Sequence, residues 1–265
     1  MSYTFTDLVT AYTTLGVTKG RTVLVNADLG RLRTFETPGK KAILDAHFSA
    51  LRHCLGDEGT IVVPTASPNL CNTDIVFDPA TTPSFKMGIF SEYVRQKEGS
   101  ERSFHPFVSH AAHGSAAKII TKDCSRHAFG PNSTTARMLE QDAIALSIGL
   151  HPSLTCSTIH HIEMAVGVPY RYVKEFIHPV RRQDKVTKEP FYRMVWYREI
   201  GRNTSHNRRI FAAIENSLNL RKVAVGRSHI YSYPLRNFVE LTTPLFLDNI
   251  YIWCEDIPEK RPWQI

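Results

Sequence analysis

Two short apolar runs, each preceded by a stretch of helical periodicity, constrain this chain more than any other feature. Arg21-Thr22-Val23-Leu24-Val25-Asn26 and Thr60-Ile61-Val62-Val63-Pro64-Thr65 read as buried strands. Asp7 to Leu15 comes before the first, with Leu8, Val9, Tyr12 and Leu15 on one helical face, Thr6 as N-cap and Gly16 as stop. Between the runs, Thr37-Pro38-Gly39 opens a second helix, with Pro at a first helical position. Its apolar stripe holds Ile43, Leu44, Phe48, Leu51 and Leu55, and Gly56-Asp57-Glu58-Gly59 turns the chain back. Helix, strand, helix, strand is the order of an α/β protein with a substantially parallel sheet.

Further along, Phe77 to Ser84 is a proline-punctuated loop, Met87 to Arg95 a short helix, and Glu101 to Ser109 a second loop. Ala111-Ala112-His113-Gly114 ends a short strand, and Ala143 to Gly149 is another apolar strand. Ligands of α/β sheets bind at the carboxyl ends of strands, which predicts Asp28, Thr65 and His160 on one rim. Beyond Pro169 the pattern loosens. Arg193 to Tyr197 reads as a strand, Arg209 to Leu218 as a helix, and Phe246 to Cys254 as a short final helix. Ala224 to Tyr231 and Val239 to Leu245 are ambiguous. No repeat, low-complexity tract or linker interrupts the chain, so residues 1–265 are expected to form a single domain.

The segment with most chemistry is Cys156-Ser157-Thr158-Ile159-His160-His161-Ile162-Glu163, read as a helix start with Ser157 and Thr158 as caps. Cys156, His160 and Glu163 then share one helical face. A helical histidine is ordinarily a surface or core residue. Three active readings stand beside that one. His160 is a general base; Cys156 is a nucleophile served by His160; or His160 and Glu163 ligate a metal, for which a third and fourth donor are lacking, so no metal site is expected.

Composition narrows the classes. No window has the run of about 18 apolar residues that a membrane span requires. The N-terminus lacks the layout of a signal peptide, and the five cysteines are scattered with no CxxC, as in a reduced cytoplasmic protein. The net charge is +7, and it is concentrated. Between Arg171 and Arg236 stand 15 Lys/Arg against 5 Asp/Glu. Such a surplus is either a solvated basic face or suits an anionic partner: a phosphate-bearing ligand, nucleic acid or an acidic glycan. No zinc-finger, RRM or KH signature accompanies it, so nucleic acid is not the expected partner.

Seven short motifs, in order, resemble the aminoglycoside 3-N-acetyltransferase family, which uses acetyl-CoA and is distinct in fold from the GNAT acetyltransferases. They are Leu15-Gly16-Val17-Thr18-Lys19-Gly20 before the first strand, Gly56 to Thr65, Phe77-Asp78-Pro79 with Thr82-Pro83-Ser84 and Met87-Gly88, Arg102-Ser103 with His105-Pro106 and Ser109, Phe129-Gly130-Pro131-Asn132-Ser133, Ser157-Thr158-Ile159-His160 with Glu163, and Gly167-Val168-Pro169-Tyr170-Arg171. The likeness runs well over roughly residues 8–172, while the part from about 172 onward is more divergent and basic. The GNAT glycine loop is absent.

The resemblance implies a three-layer α/β/α fold with a mixed, largely parallel central sheet. It also implies direct acetyl transfer from acetyl-CoA to a sugar amine, with no metal. His160 would be the general base, Glu163 would orient it, and Thr65 would hydrogen-bond the thioester or acceptor. Asp28, Leu29, Arg31, Ser84, Met87, Arg102, His105 and Ser109 match the family's cofactor-contacting loops. Two departures bear on substrate. The family's first-loop His-Ser-Ser-Leu is Asn26-Ala27-Asp28-Leu29 here. The C-terminal part is basic where enzymes for polycationic aminoglycosides are acidic. The expected acceptor is therefore an anionic amino sugar, such as a nucleotide-linked one. The alternatives are a true aminoglycoside 3-N-acetyltransferase, or a Cys156-dependent covalent acyltransferase or hydrolase.

Overall fold

In the computed structural model, which describes residues 2–202 and 206–259, the first strand β1 (Thr22–Ala27) alternates its side chains between two cores. Val23 and Val25 enter one cluster and Leu24 the other. On the first face lie α1 (Phe5–Thr14) and α2 (Lys40–Leu55), with Leu8, Tyr12, Leu44, Leu51 and Leu55 fully or nearly fully buried. The α1 helix begins two residues earlier than Thr6 capping predicts. Thr4 is the N-cap and forms a reciprocal capping box with Asp7, which satisfies two otherwise unpaired groups. In α2, Gly39 caps the start at φ 115° and Pro38 lies just outside the helix, not at its first turn.

The strand β2 (Thr60–Pro64) pairs parallel to β1. After α3 (Ile89–Arg95) and the short β3 (Ser100–Arg102), β4 (His110–Gly114) pairs antiparallel to both β2 and β3. Two short helices, α4 (Ala117–Thr121) and α5 (Thr134–Glu140), lead to the wholly buried β5 (Ile144–Ile148), parallel to β1 on its other side. Then comes α6 (Ile159–Val166), which carries His160.

Beyond α6 the chain departs from its sequence reading. Where the sequence predicts a short strand at 193–197, a ribbon of β6 (Arg171–Arg182) and β7 (Lys185–Trp196) stands apart from the main sheet. Pro179 and Pro190 hide it in the sequence, because proline argues against a central strand. Each strand of a two-stranded ribbon has a free edge, so both prolines are accommodated. Loops cover those edges: Phe77 N–H donates to Pro179 and Arg181 N–H to Phe77, while Ala128 N–H donates to Tyr192. Phe107, Phe176 and Phe191 form a small third core beneath the ribbon.

The chain continues through α7 (His206–Ile214), a β8 (Arg221–Val225) and β9 (Ser228–Pro234) hairpin, and α8 (Leu235–Asp248). The ambiguous segments thus resolve into a hairpin turning at Gly226 and a helix that contains Pro244. Phe246 lies in the last turn of α8; residues 250–253 are turns and Cys254 bridges to Arg202, with no separate helix. The seven-stranded sheet has the order β3-β4-β2-β1-β5-β9-β8. β1, β2, β3, β5 and β8 point one way, β4 and β9 the other. Helices α4 to α8 pack on the second face with Leu24, Val62 and Ala145, completing three layers of mixed α/β.

Burial forces several histidines to stay neutral. It pushes His47 down to about 3, and His105 and His110 down to about 4, from an ordinary 6.5. His47 accepts and donates between Tyr3 and Tyr12 hydroxyls at 3.1 and 2.6 Å. Since the unfolded chain takes up these protons at higher pH, stability is complete above pH ~6.5 and falls as pH drops toward ~4. Urea unfolding at pH 7.5 and pH 5 is expected to differ by on the order of 1–2 kcal/mol per buried histidine; equal midpoints would refute the assignment.

Candidate active site

The site forms where β5 runs out. Gly149 turns the chain at φ 74°, and a side chain there would collide with the Asp28 carbonyl, so this glycine lets the loop after β1 close against the end of β5. Asp28 N–H donates to the Ile148 carbonyl at 2.9 Å. Gly88, at φ 89°, does the same on the other side, where a Cβ would sit 2.9 Å from the Ala27 carbonyl. Three loops thus converge on the carboxyl ends of β1, β2 and β5.

The entry to α6 is tighter than an ordinary helix start. Ile159 and His160 N–H groups donate to the Cys156 and Ser157 carbonyls, three residues back, and α6 proper begins at Ile159. Cys156 therefore precedes the helix instead of sharing its face, and its Sγ turns toward the Ser153 carbonyl. Burial pushes that thiol up to about 12, far from a thiolate. Thr158 is the N-cap but makes no side-chain cap bond.

One helical turn brings His160 and Glu163 together: Nδ1 and Oε2 are 2.5 Å apart. Glu163 is completely buried, and its other oxygen accepts from Arg171 Nε at 2.8 Å. Burial alone would raise this carboxyl. The hydrogen bonds and charges of His160 and Arg171 outweigh it and hold Glu163 below the ordinary value. A carboxylate can only accept, so His160 Nδ1 bears the proton of this contact, and in the neutral ring that tautomer leaves the lone pair on Nε2. Arg171 is the first residue of β6, and its guanidinium lies 5.0 Å from the Trp196 ring and 5.6 Å from Trp253. The His160 ring is packed by Phe129 and Trp253 at 5.4 and 5.5 Å, with 29% of the side chain exposed.

His160 stands at the junction of two cavities. A cleft of about 730 Å³ is lined by Asp28, Leu29, Lys86, Met87, Arg202 and Trp253, among others. A smaller cavity of about 220 Å³ is lined by Ala66, Phe107, Ser109, His110, Arg193 and Met194, among others. Pro64, Met87, Ser157 and His160 wall both.

Of the residues singled out in the sequence, Asp28, Leu29, Met87 and His160 meet at the large cleft, and Ser109 reaches the small one. Arg31 ion-pairs with Asp28 at 2.9 Å on the rim, so the carboxylate that replaces the family's hydroxyls carries its own counter-ion. The other residues point elsewhere. Thr65 is buried with its hydroxyl against Ser109 at 3.1 Å. Ser84 binds Glu92 through both N–H and hydroxyl. Arg102 is engaged by the Thr65, Pro79 and Thr82 carbonyls and by Ser67 and Ser109. His105 is buried, and its Nδ1 accepts from the Phe107 and Val108 N–H groups. Lys86, Arg202 and Trp253 had no local signal in the sequence. Arg171 stood in a motif without a role; a basic residue just past the Gly167 cap was the clue. Among the described residues, no group of three His, Cys, Asp or Glu side chains could hold a metal, and no helix is long and apolar enough to cross a membrane.

The fold and this buttressed histidine define a three-layer α/β protein in which His160 stands between two cavities. The family model for aminoglycoside 3-N-acetyltransferase matches residues 24–246, and the chain belongs to that family. Aminoglycoside N(3)-acetyltransferase IV of Salmonella sp is 34% identical over 166 residues, 62% of this chain. That alignment spans about 60% of the relative's length. Among solved structures, AAC-IIIb in its binary complex with CoASH has a TM-score of 0.81 at 19% identity, covering 97% of this chain and 100% of that one. AAC-VIa bound to sisomicin has a TM-score of 0.80 at 20% identity, covering 93% of this chain and 98% of that one.

Arg171→Met is expected to cost about 3–5 kcal/mol, because it leaves a buried carboxylate with a single partner. Glu163 should then rise above its ordinary value, and the variant should lose further stability as pH increases through that new value. Thermal melts of variant and wild type between pH 5 and 8 would read it as a gap that widens with pH; a small gap independent of pH would refute it.

Proposed function

We propose that the protein is a CoA-dependent N-acetyltransferase that moves an acetyl group from acetyl-CoA directly to an amine of an amino sugar, with His160 as general base. The observation that carries this is the Arg171–Glu163–His160 chain ending at the junction of the two cavities. The large cleft suits the donor. Its size fits an extended arm, and Lys86 and Arg202 on its wall suit phosphates. Asp28, Leu29, Arg31 and Met87 are the donor-side residues of this reading.

The amine attacks the thioester carbonyl while His160 Nε2 accepts its proton. The C–N bond forms, the C–S bond breaks, and the proton leaves with the CoA thiolate as the thiol. Glu163 holds the ring's tautomer and stabilises the imidazolium, and Arg171 keeps Glu163 ionised. Thr65 and Ser109 position the loop after β2 through their mutual bond. The raised Cys156 thiol speaks against a covalent route.

Family membership and the relatives' names favour an aminoglycoside acceptor over the nucleotide-linked amino sugar read from charge. The cavity walls favour an anionic one. Among the described residues lining the two cavities, Asp28 is the sole carboxylate side chain, against Lys86, Arg171, Arg193 and Arg202. Turnover of kanamycin-type substrates against nucleotide amino sugars separates the two.

His160→Ala is expected to lower kcat roughly a hundred- to ten-thousand-fold, while Cys156→Ala stays near wild type. A burst of CoA without acceptor, or loss of turnover in Cys156→Ala, would replace direct transfer with a covalent intermediate. Retained turnover in His160→Ala would end the reading.

A further inference from the structure

We propose that Arg193 recognises an anion, a carboxylate or phosphate on whatever part of a substrate fills the smaller cavity. The inference rests on the His160 reading for its chemistry, not for its binding geometry. Arg193 projects from β7, in register with Lys174 on β6, and walls the 220 Å³ cavity together with His160. Its guanidinium donates to Cys71 Sγ at 3.2 Å, a weak acceptor. Among the described residues no carboxylate lies within ion-pairing distance of it. Two arginines nearby are matched: Arg171 by Glu163 at 2.8 Å and Arg126 by Glu189 at 2.7 Å. Among the described residues, no Asp or Glu side chain lines the cavity.

The neighbouring groups do not offset this charge. His110 lines the same cavity with Nδ1 bonded to Thr134 Oγ1 at 2.7 Å, and burial keeps it neutral. His105 is held neutral by burial, with Arg193's charge acting in the same direction. Arg171 is already engaged by Glu163. The half-buried Arg193 walls a cavity whose other sides include Phe107, Phe129, Met194 and Ala66 beside Ser109 and Ser157, and it borders a neighbouring cavity of about 550 Å³ lined by Cys71, Lys174 and Glu199. A guanidinium in such a setting binds an oxyanion in two-point fashion and disfavours an ammonium. Since the cavity also touches His160, the anion and the reacting centre belong to one substrate molecule. Two sources carry that chemistry: an acidic substituent on the acceptor amine, or the terminal carboxylate of a dicarboxylic acyl-CoA donor.

Two arms on the full-length protein separate them. With acetyl-CoA as donor, glucosamine is compared with glucosamine 6-phosphate. With glucosamine as acceptor, acetyl-CoA is compared with succinyl-CoA. Calorimetric binding of each sugar and each donor runs alongside, so that an inactive pairing is still read. The expected result is a preference of at least tenfold for the anionic member in one arm. Arg193→Gln should collapse that ratio to near one, and Arg193→Lys should keep part of it; melting curves check that both variants fold. The arm that shows the preference names the source. Indifference to the anion in both arms, or a preference that survives Arg193→Gln, overturns the proposal. Absence of acetyl transfer to every acceptor, with anion binding at Arg193 intact, would instead overturn the function proposed for His160.

Discussion

A fully buried carboxylate must find partners or give up its charge, and Glu163 finds two. Much of the site follows from that requirement. The histidine comes from the same helix one turn earlier, so α6 supplies it locally. The arginine comes from the first residue of β6, beyond the Gly167 cap and the turn at Pro169. The ribbon's departure from the main sheet is thereby tied to His160 through Glu163. The two tryptophans that flank Arg171 come from the last residue of β7, directly across the ribbon from it, and from the turns after α8. Exposed ion pairs contribute little to stability, but this one is enclosed, so each partner is indispensable to the others.

His160 is held rigidly on its Glu163 side and open on the other, where two cavities of unequal size meet. The larger lies against the ends of β1, β2 and β5, where the parallel strands of the sheet terminate. The smaller is roofed by β7 and floored by the loop after β2. One is framed by the sheet common to α/β proteins, the other by the ribbon, where this chain's basic residues are concentrated.

How far the sequence could be read depended on the kind of element. The first sixty residues were legible because α1, β1, α2 and β2 each show their own period, and errors were confined to caps such as Thr4 and Gly39. His160 and Glu163 were legible because i, i+3 spacing on a helix is local geometry. Cys156 misled, since the turn before α6 removes it from the helical face. The ribbon was illegible because its stability comes from Phe77 and Tyr192 bridges and a phenylalanine cluster contributed by distant segments. The motif-matching loop residues Arg102 and His105 brace loops in a way the sequence does not show: Arg102 cross-links three carbonyls, and His105 caps two N–H groups.

Sequence by itself therefore determined the α/β class, the strand–loop rim, the histidine with its carboxylate, and the basic surplus after residue 171. Each of these is set by periodicity, by spacing within one helix or by counting charges. Only the tertiary structure decided which cation meets Glu163, which aromatic rings hold His160, and that Arg193 shares a cavity with His160 while Arg102 does not. Those outcomes depend on contacts between segments more than a hundred residues apart in some cases, as between Arg193 and Cys71. Such contacts are chosen by how the layers pack, and no local pattern encodes them.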